Sequence, residues 1–441
     1  MLSGASKLFG CNIHGFIRVS NIALKIIDTS EFQRMRNIRQ LGCCNYVFSS
    51  AVHTRFEHSL GVYHLTGVVL EKLSAKYPGK KYNITELSGE FELSHHIIEL
   101  VKIAGLCHDI GHGPYSHIFD NIFLKDYNHP NSCHEERSCV IIDMICKREL
   151  PDIITDQQIN FIKSIIHPKE QHKGALYQIV SNYLNGIDVD KFDYLARDTY
   201  NLGLKKGFDP RRLIDELIID KNENISYPKH CSSDVFDMFY IRYMMHKQIY
   251  SHKTVKIIEM MMCDIYRIID PVFKISDSIK NMERFCTLTD QSIFNYVENY
   301  IYHLTCKESR FDPDDVLKIK EAYKIYRRIL TRKLYEIVAE ITSTQDLPQT
   351  KINEIMNKFV VEHGSNSLEV ITNKIGFSGT NSPFANIYFY DTKNINTSFI
   401  LNEEDISGLL CKRYCETKTF LICKDPNMLE DMTNEWNIYY E

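Results

Sequence analysis

The sequence predicts a mainly α fold: a helical body over residues 1–342, followed by a small α/β lobe over 343–441. Three observations carry this expectation. Apolar residues recur every three or four positions in HIIELVKIAGLCHDIG, ISDSIKNMERF and DDVLKIKEAYKIYRRILTRKLYEIVAEI, as on one face of a helix. The polar, proline-punctuated stretch TSTQDLPQTK interrupts that texture near residue 343. Beyond it, SLEVITNKIGF, FANIYFYDT and TFLICK are rich in β-branched and aromatic residues and read as strands, with EEDISGLLCKRYC as an intervening helix. Within the body, KYPGKKYNITELSGEFE reads as a surface loop, and NISYPKHCSSDVF as a loop with a short hairpin near Tyr227-Pro228.

Composition bounds the function. With 44% hydrophobic and 25% charged residues, the 441-residue chain is an ordinary soluble globular protein. A formal net charge of −5 argues against a constitutive nucleic-acid binder but leaves room for a local cationic pocket. The fourteen cysteines lack disulfide-like spacing, and the N-terminus has no secretory signal. Both features point to reduced thiols in an intracellular protein, nuclear or cytoplasmic. No apolar run reaches the roughly 18 residues that span a bilayer.

The chemistry concentrates in LCHDIGHGPYSHIFD, which carries His108, Asp109, His112, His117 and Asp120. A single buried histidine is more often architectural than catalytic. Five such groups in one glycine-punctuated segment favour a metal or acid–base site. His108 and His112, four apart, share a helix face. Two other stretches repeat the signature. AVHTRFEHSLGVYHLTGVVL carries His53, Arg55, Glu57, His58 and His64 at the start of an amphipathic helix. NGIDVDKFDYLARDTYNLG carries Asp188, Asp190, Lys191, Asp193, Tyr194, Arg197 and Asp198. A solvated charged face is the plain alternative for the latter run; the interleaved Phe192 and Leu195 argue against it.

The ordered set His58, His108-Asp109 and Asp190 resembles the HD phosphohydrolase superfamily. The segments FQRMRNIRQLG, HTRFEHSLGV, IAGLCHDIGHGPYSHIFD, NGIDVDKFDYLARD and YMMHKQIYSHK narrow the resemblance to the SAM-and-HD-domain deoxynucleoside triphosphate triphosphohydrolases. It runs from about Lys7 to Lys253 and weakens beyond; no SAM domain is expected in this chain. The resemblance implies an HD-domain helical body and metal-dependent hydrolysis of dNTPs to deoxynucleoside and inorganic triphosphate. His58, His108, Asp109 and Asp190 would hold a divalent transition metal (Fe, Mn or Zn), and Mg²⁺ would ride on Asp109 and the substrate phosphates. His117 matches the proposed general acid. His112, Asp120 and His134 match neighbouring catalytic positions, and sequence alone does not separate His117 from His134.

By the same resemblance Arg55, Lys191, Arg242 and Lys253 contact phosphates. Leu41 and Tyr250 crowd the 2′ position, Gln40 and Asp198 hold the 3′-hydroxyl, and Tyr194 and His246 lie near sugar and base. Lys7, Asp28, Gln33 and Arg36 match a guanine-nucleotide activator pocket, and Arg212 and Arg332 a second pocket. Departures fall at Gly10 and Cys11, where the family has Asn and Asp, and at Pro228 and Glu336, where it has Arg and Lys. A GTP- or dGTP-activated homo-oligomer, dimeric or tetrameric, that lowers dNTP pools is the leading expectation. The alternatives are an HD nucleotidase or phosphodiesterase on other phosphate esters, and a non-catalytic binder of nucleotides or single-stranded nucleic acid.

Overall fold

Helix Arg55–Lys76 organises the first part of the structure, a computed structural model that describes residues 6–125, 127–305, 312–343, 354, 357–358, 367–377, 382–407 and 414–440. Glu57 reaches back to accept the Thr54 N–H at 2.9 Å, half of a capping box that fixes where the helix begins. Its inward residues, among them Phe56, Leu60, Val62, Leu65, Val69 and Leu73, are buried. Helices His95–Cys107 and Val189–Asn201 pack against it. Both crossings depend on glycine. A Cβ on Gly61 would stand 1.9 Å from Asp193 Oδ1, and one on Gly105 would stand 2.6 Å from Thr66 Oγ1. The third helix starts at a defined residue because Asp188 caps it, accepting the Lys191 N–H at 3.0 Å, worth about 1 kcal/mol.

The chain divides into two compact units that interleave in sequence. The first comprises Met1–Ile241, Ser276–Ser292 and Pro383–Leu410. Besides the helices it holds an N-terminal hairpin, Lys7–Cys11 with Gly15–Val19, and a four-stranded sheet. That sheet runs Asn394–Phe399, Tyr388–Asp391, Ile225–Pro228, Ile218–Ile219, its middle pair parallel. The FANIYFYDT strand thus pairs with Ile225–Pro228, within the first unit, rather than with the other C-terminal strands. The second unit comprises Arg242–Ile275, Ile293–Ser382 and Cys411–Glu441. Its helices Lys253–Phe273 and Pro313–Leu330 pack together. Its antiparallel sheet has Cys415–Cys423 between Glu336–Ser343 and Leu368–Gly376. Ala339, Leu368, Leu421 and Cys423 of that sheet close a core with Met432 and Trp436 of helix Leu429–Tyr440.

The mainly α fold with small sheets toward the C-terminus is as the sequence predicts, but four local readings are corrected. DDVLKIKEAYKIYRRILTRKLYEIVAEI is not one helix: it ends at Leu330, Arg332 takes a left-handed φ of 61°, and the β-branched run continues as strand Glu336–Ser343. ISDSIKNMERF forms two short helical pieces, Ser276–Lys280 and Met282–Phe285. KYPGKKYNITELSGEFE contains a hairpin, Lys81–Ile84 with Gly89–Glu92, because alternating Tyr82 and Ile84 are buried. EEDISGLLCKRYC is helical over Glu403–Ile406; residues 408–413 lie outside the described residues.

The Gly61 contact generates a prediction. Gly61→Ala forces a methyl group into Asp193 and is expected to cost about 1–3 kcal/mol of stability. Thermal unfolding should show a Tm lowered by several degrees. An unchanged Tm would mean that the two helices are not in this contact.

Candidate functional site

The three sequence stretches rich in His and Asp converge in the first unit. His58 comes from the first turn of its helix, His108 from the C-cap of His95–Cys107, and Asp190 from the first turn of Val189–Asn201. The His108-Asp109 turn that leaves the second helix is held by main-chain contacts. Ser138 Oγ donates to His108 O (2.7 Å) and accepts from Gly111 N (2.9 Å). Buried Arg34 donates to Ile110 O (2.6 Å) and His112 O (2.9 Å), and buried Arg137 to Gly111 O (2.8 Å). Gly111 is required here: a Cβ would lie 2.2 Å from His134 O.

Both imidazoles commit Nδ1 to an oxygen, His58 to Asp193 Oδ2 (2.8 Å) and His108 to Gly105 O (2.8 Å). These partners fix the tautomer that leaves each Nε2 as a lone-pair donor. His58 Nε2 lies 3.0 Å from Asp190 Oδ1 and 3.6 Å from Asp109 Oδ2. His108 Nε2 lies 3.4 Å from Asp109 Oδ1 and from Asp190 Oδ1, and is buried without a hydrogen-bond partner among the described residues. Lone pairs at such separations repel unless a proton or a cation stands between them. The ligand atoms of His58, His108 and Asp190 all lie within 4.8 Å of one another, so two imidazole nitrogens and carboxylate oxygens fit one divalent ion.

Electrostatics agree. Burial alone would make His58 less basic, yet its hydrogen bonds to Asp190 and Asp193 and the charge of Asp109 push it up to about 10. Burial would raise Asp109; Arg55 foremost, then His108 and His112, hold it well below the usual carboxylate range. Asp190 is likewise held down, against its burial, by His108 and His58. In short, the cluster is rich in carboxylate charge that only a proton or a cation satisfies.

A second group sits beside the first. Asp109 also lies 3.3 Å from His112 Nε2, and the His112 ring stacks on His134 at 3.8 Å. Asp120 accepts from His134 Nδ1 at 3.1 Å and from Arg137, so it orients His134. Burial, then Arg55 and His134, keep His112 neutral, its basicity well below the usual. His117 reaches solvent yet is crowded enough that desolvation leads the causes that lower it to about 4, followed by Arg55 and His134. Its ring is 5.5 Å from that of His112 and 6.3 Å from that of His134.

Arg55 pairs with Asp109 and donates to Ser116 Oγ at 2.9 Å. Lys191 Nζ lies 3.0 Å from Asp188. Asp198 Oδ1 is 2.8 Å from His53 Nε2, and His53 O accepts from Gln40 N at 3.0 Å. Gln40 Oε1 is buried without a partner among the described residues, and Leu41 follows it, half-buried. Tyr194 is half-buried in the Val189–Asn201 helix. Arg242, His246, Tyr250 and Lys253 belong to the second unit. There Arg242 donates to Phe377 O (2.7 Å) and Gly376 O (3.1 Å), His246 and Tyr250 rings meet edge to face at 4.9 Å, and Lys253 is exposed.

Of the activator candidates, Gln33 donates to Ile27 O (2.8 Å), next to exposed Asp28, and accepts from Arg36 at 2.8 Å. Arg36 lies over the Phe56 ring at 3.5 Å. Lys7 is exposed on the N-terminal hairpin, whose Gly10 and Cys11 share its strand. Arg212 pairs with Asp234 at 3.0 Å, and Lys229 and His230 are exposed just after Pro228. Arg332 and Glu336 are exposed in the second unit.

Sequence reasoning assigned no role to Asp193, Arg197 or His14. Arg197 clamps Asp193 through Nε (2.8 Å) and Nη2 (2.9 Å). His14 reaches the same carboxylate at 2.7 Å. The four-residue spacing of Asp193 and Arg197 was the visible signal. Asp193→Asn weakens the acceptor that fixes His58, and Zn²⁺ or Mn²⁺ affinity is expected to fall about 10–100-fold in calorimetric titration. Unchanged affinity would contradict this role.

Comparison with known proteins agrees with the geometry. The HD domain family matches residues 55–198, which contain all four candidate ligands. The chain is 52% identical over 430 residues to the HD domain-containing protein L394 of Acanthamoeba polyphaga mimivirus, covering 96% of this chain and 94% of that one. It is 31% identical to the deoxynucleoside triphosphate triphosphohydrolase SAMHD1 homolog of Dictyostelium discoideum, covering 97% and 79%. It is 32% identical to the deoxynucleoside triphosphate triphosphohydrolase SAMHD1 of Homo sapiens, covering 95% and 70%.

Proposed function

This chain belongs to the HD-domain family of the SAMHD1 proteins, and from that premise we propose that it hydrolyses deoxynucleoside triphosphates to deoxynucleoside and inorganic triphosphate. The observation that carries the reading is the pair of imidazoles with Nδ1 committed and Nε2 turned to Asp109 and Asp190, beside the cation Arg55. His58, His108, Asp109 and Asp190 would hold a divalent ion such as Fe, Mn or Zn, which when bound polarises a phosphoryl oxygen and acidifies water.

The chain's own residues supply the rest. Arg55 and Lys191 gather phosphate charge, Arg55 with a planar fork and Lys191 as a point charge. Arg242 and Lys253 are further phosphate contacts on the family resemblance. Water attacks the α-phosphorus, the bond to the 5′ oxygen breaks, and that oxygen needs a proton as it leaves. The His112, His117 and His134 cluster delivers it, a reading supported by the close approach of the three rings and by the Asp120 contact to His134. A triphosphate brings charge opposite to that of Arg55 and so raises the basicity of His117 toward a useful range.

Gln40 and Asp198 accept or donate at the 3′-hydroxyl, and Leu41 disfavours a 2′-hydroxyl; Tyr250 matches a further 2′ position on the family resemblance. Tyr194 matches a sugar contact and His246 a base contact on the family resemblance. Lys7, Asp28, Gln33 and Arg36 read a guanine nucleotide that activates a homo-oligomer, and turnover lowers dNTP pools. Arg212 and Arg332 each match a position of a second activator site on the family resemblance, and Glu336 puts a carboxylate where that family has a cation, which disfavours a polyphosphate.

Phosphorus NMR tests the reading. Protein given a dNTP mixture with Mn²⁺ and Mg²⁺, with and without GTP, is expected to release inorganic triphosphate, faster with GTP. The His108→Ala/Asp109→Ala double variant should release none. Orthophosphate or nucleoside monophosphate as the product would refute it.

A further inference from the structure

We propose that Asp290 is a positioning residue that sets the register of the sugar-reading segment Gln40–Leu41 against the loop bearing His117, and thereby the discrimination of deoxyribose from ribose. The inference rests on the dNTP reading above and assigns to that reaction a residue from a distant part of the chain.

The two segments concerned have little regular structure of their own. Residues 38–41 contribute one isolated bridge, Arg39 with Thr54, and the loop after His112 passes through left-handed Tyr115 (φ 55°) and Ser116 (φ 57°). Consecutive left-handed residues that are not glycine cost energy and persist only where their surroundings impose them. Asp290 supplies that imposition. Its carboxylate is 6% exposed, and its two oxygens accept from two different loops: Oδ1 from Tyr115 N at 2.7 Å, Oδ2 from Arg39 N at 2.9 Å. The Asp290 N–H in turn donates to Asn37 O at 3.2 Å.

Independent contacts tie the same segments. Arg34 donates to Leu288 O (3.0 Å), two residues before Asp290, as well as to Ile110 O and His112 O. Ser116 Oγ lies 3.3 Å from Arg39 O while also accepting from Arg55. Gly42 packs so closely that an added Cβ would stand 3.2 Å from Tyr115 O. Leu288 and Asp290 thus form a bracket that donors on one side and acceptors on the other lock to both walls. The sugar-reading side chains follow Arg39 directly, so a shift of Arg39 moves Gln40 and Leu41.

Burial raises the Asp290 carboxyl to about 6, against its two backbone hydrogen bonds and the charges of Arg39 and Arg55; Arg34 is the other cation facing it. Below that pH one oxygen becomes a hydroxyl and no longer accepts from an N–H. The sign follows: register is held above about pH 6 and loosened below it.

The test compares kcat/KM for a dNTP and its rNTP counterpart in the metal-loaded protein, wild type and Asp290→Asn. The two substrates share their triphosphate, so loss of metal or of fold scales both rates and cancels in the ratio. The amide keeps one acceptor but presents an NH₂ to the other N–H. The deoxy-to-ribo ratio is expected to fall about tenfold or more. The same ratio in wild type should decline as pH falls from 7.5 through 6, which keeps the inference testable if the variant does not fold. A ratio unchanged in Asp290→Asn while stability drops, or a wild-type ratio flat with pH, overturns the positioning role. Wild-type protein that turns over dNTPs normally isolates that failure; protein that leaves dNTPs intact overturns the substrate reading and this inference together.

Discussion

The structure depends on the close approach of helix Val189–Asn201 to helix Arg55–Lys76 at Gly61. Nothing larger than hydrogen fits there, and the space is filled by Asp193 and Arg197. That approach brings Asp193 onto His58 Nδ1 and, three residues earlier in the same helix, Asp190 onto His58 Nε2. One helix–helix contact therefore sets both the tautomer of the imidazole and the position of its carboxylate partner. The N-terminal hairpin joins the same point, since His14 shares the Asp193 carboxylate and Arg197 lies 3.5 Å from Cys11 Sγ.

Near this contact two buried cations serve the backbone. Arg34 and Arg137 are buried, and both donate to carbonyls of the turn that presents His108 and Asp109. Unpaired carbonyls at such a turn would each be costly, and a guanidinium meets several at once. Arg197 and Arg55 turn instead to carboxylates, Arg197 to Asp193 and Arg55 to Asp109.

Much of this was legible in the sequence. The three stretches that carry His58, His108-Asp109 and Asp190 stood out because ligand-type residues cluster there beside glycines and apolar helical repeats; the choice of those four as ligands came from the resemblance to the HD phosphohydrolases. What escaped was of two kinds. Helix Pro313–Leu330 and strand Glu336–Ser343 share one apolar, three-to-four spaced text, and only the left-handed turn at Arg332 separates them. Asp290 sits in an unremarkable TLTDQS stretch, and its partners are main-chain N–H groups, which leave no trace in residue identity. The strand Tyr388–Asp391 was recognised as a strand, but its parallel partner Ile225–Pro228 lies far away in sequence, so its membership of the first unit was not readable.

The most direct test of the central claim is hydrolysis of a dNTP in ¹⁸O-labelled water, with mass spectrometry of the products. If water attacks the α-phosphorus as proposed, one labelled oxygen is expected in the inorganic triphosphate and none in the deoxynucleoside. Label in the deoxynucleoside, or in orthophosphate released beside a deoxynucleoside diphosphate, would contradict the account.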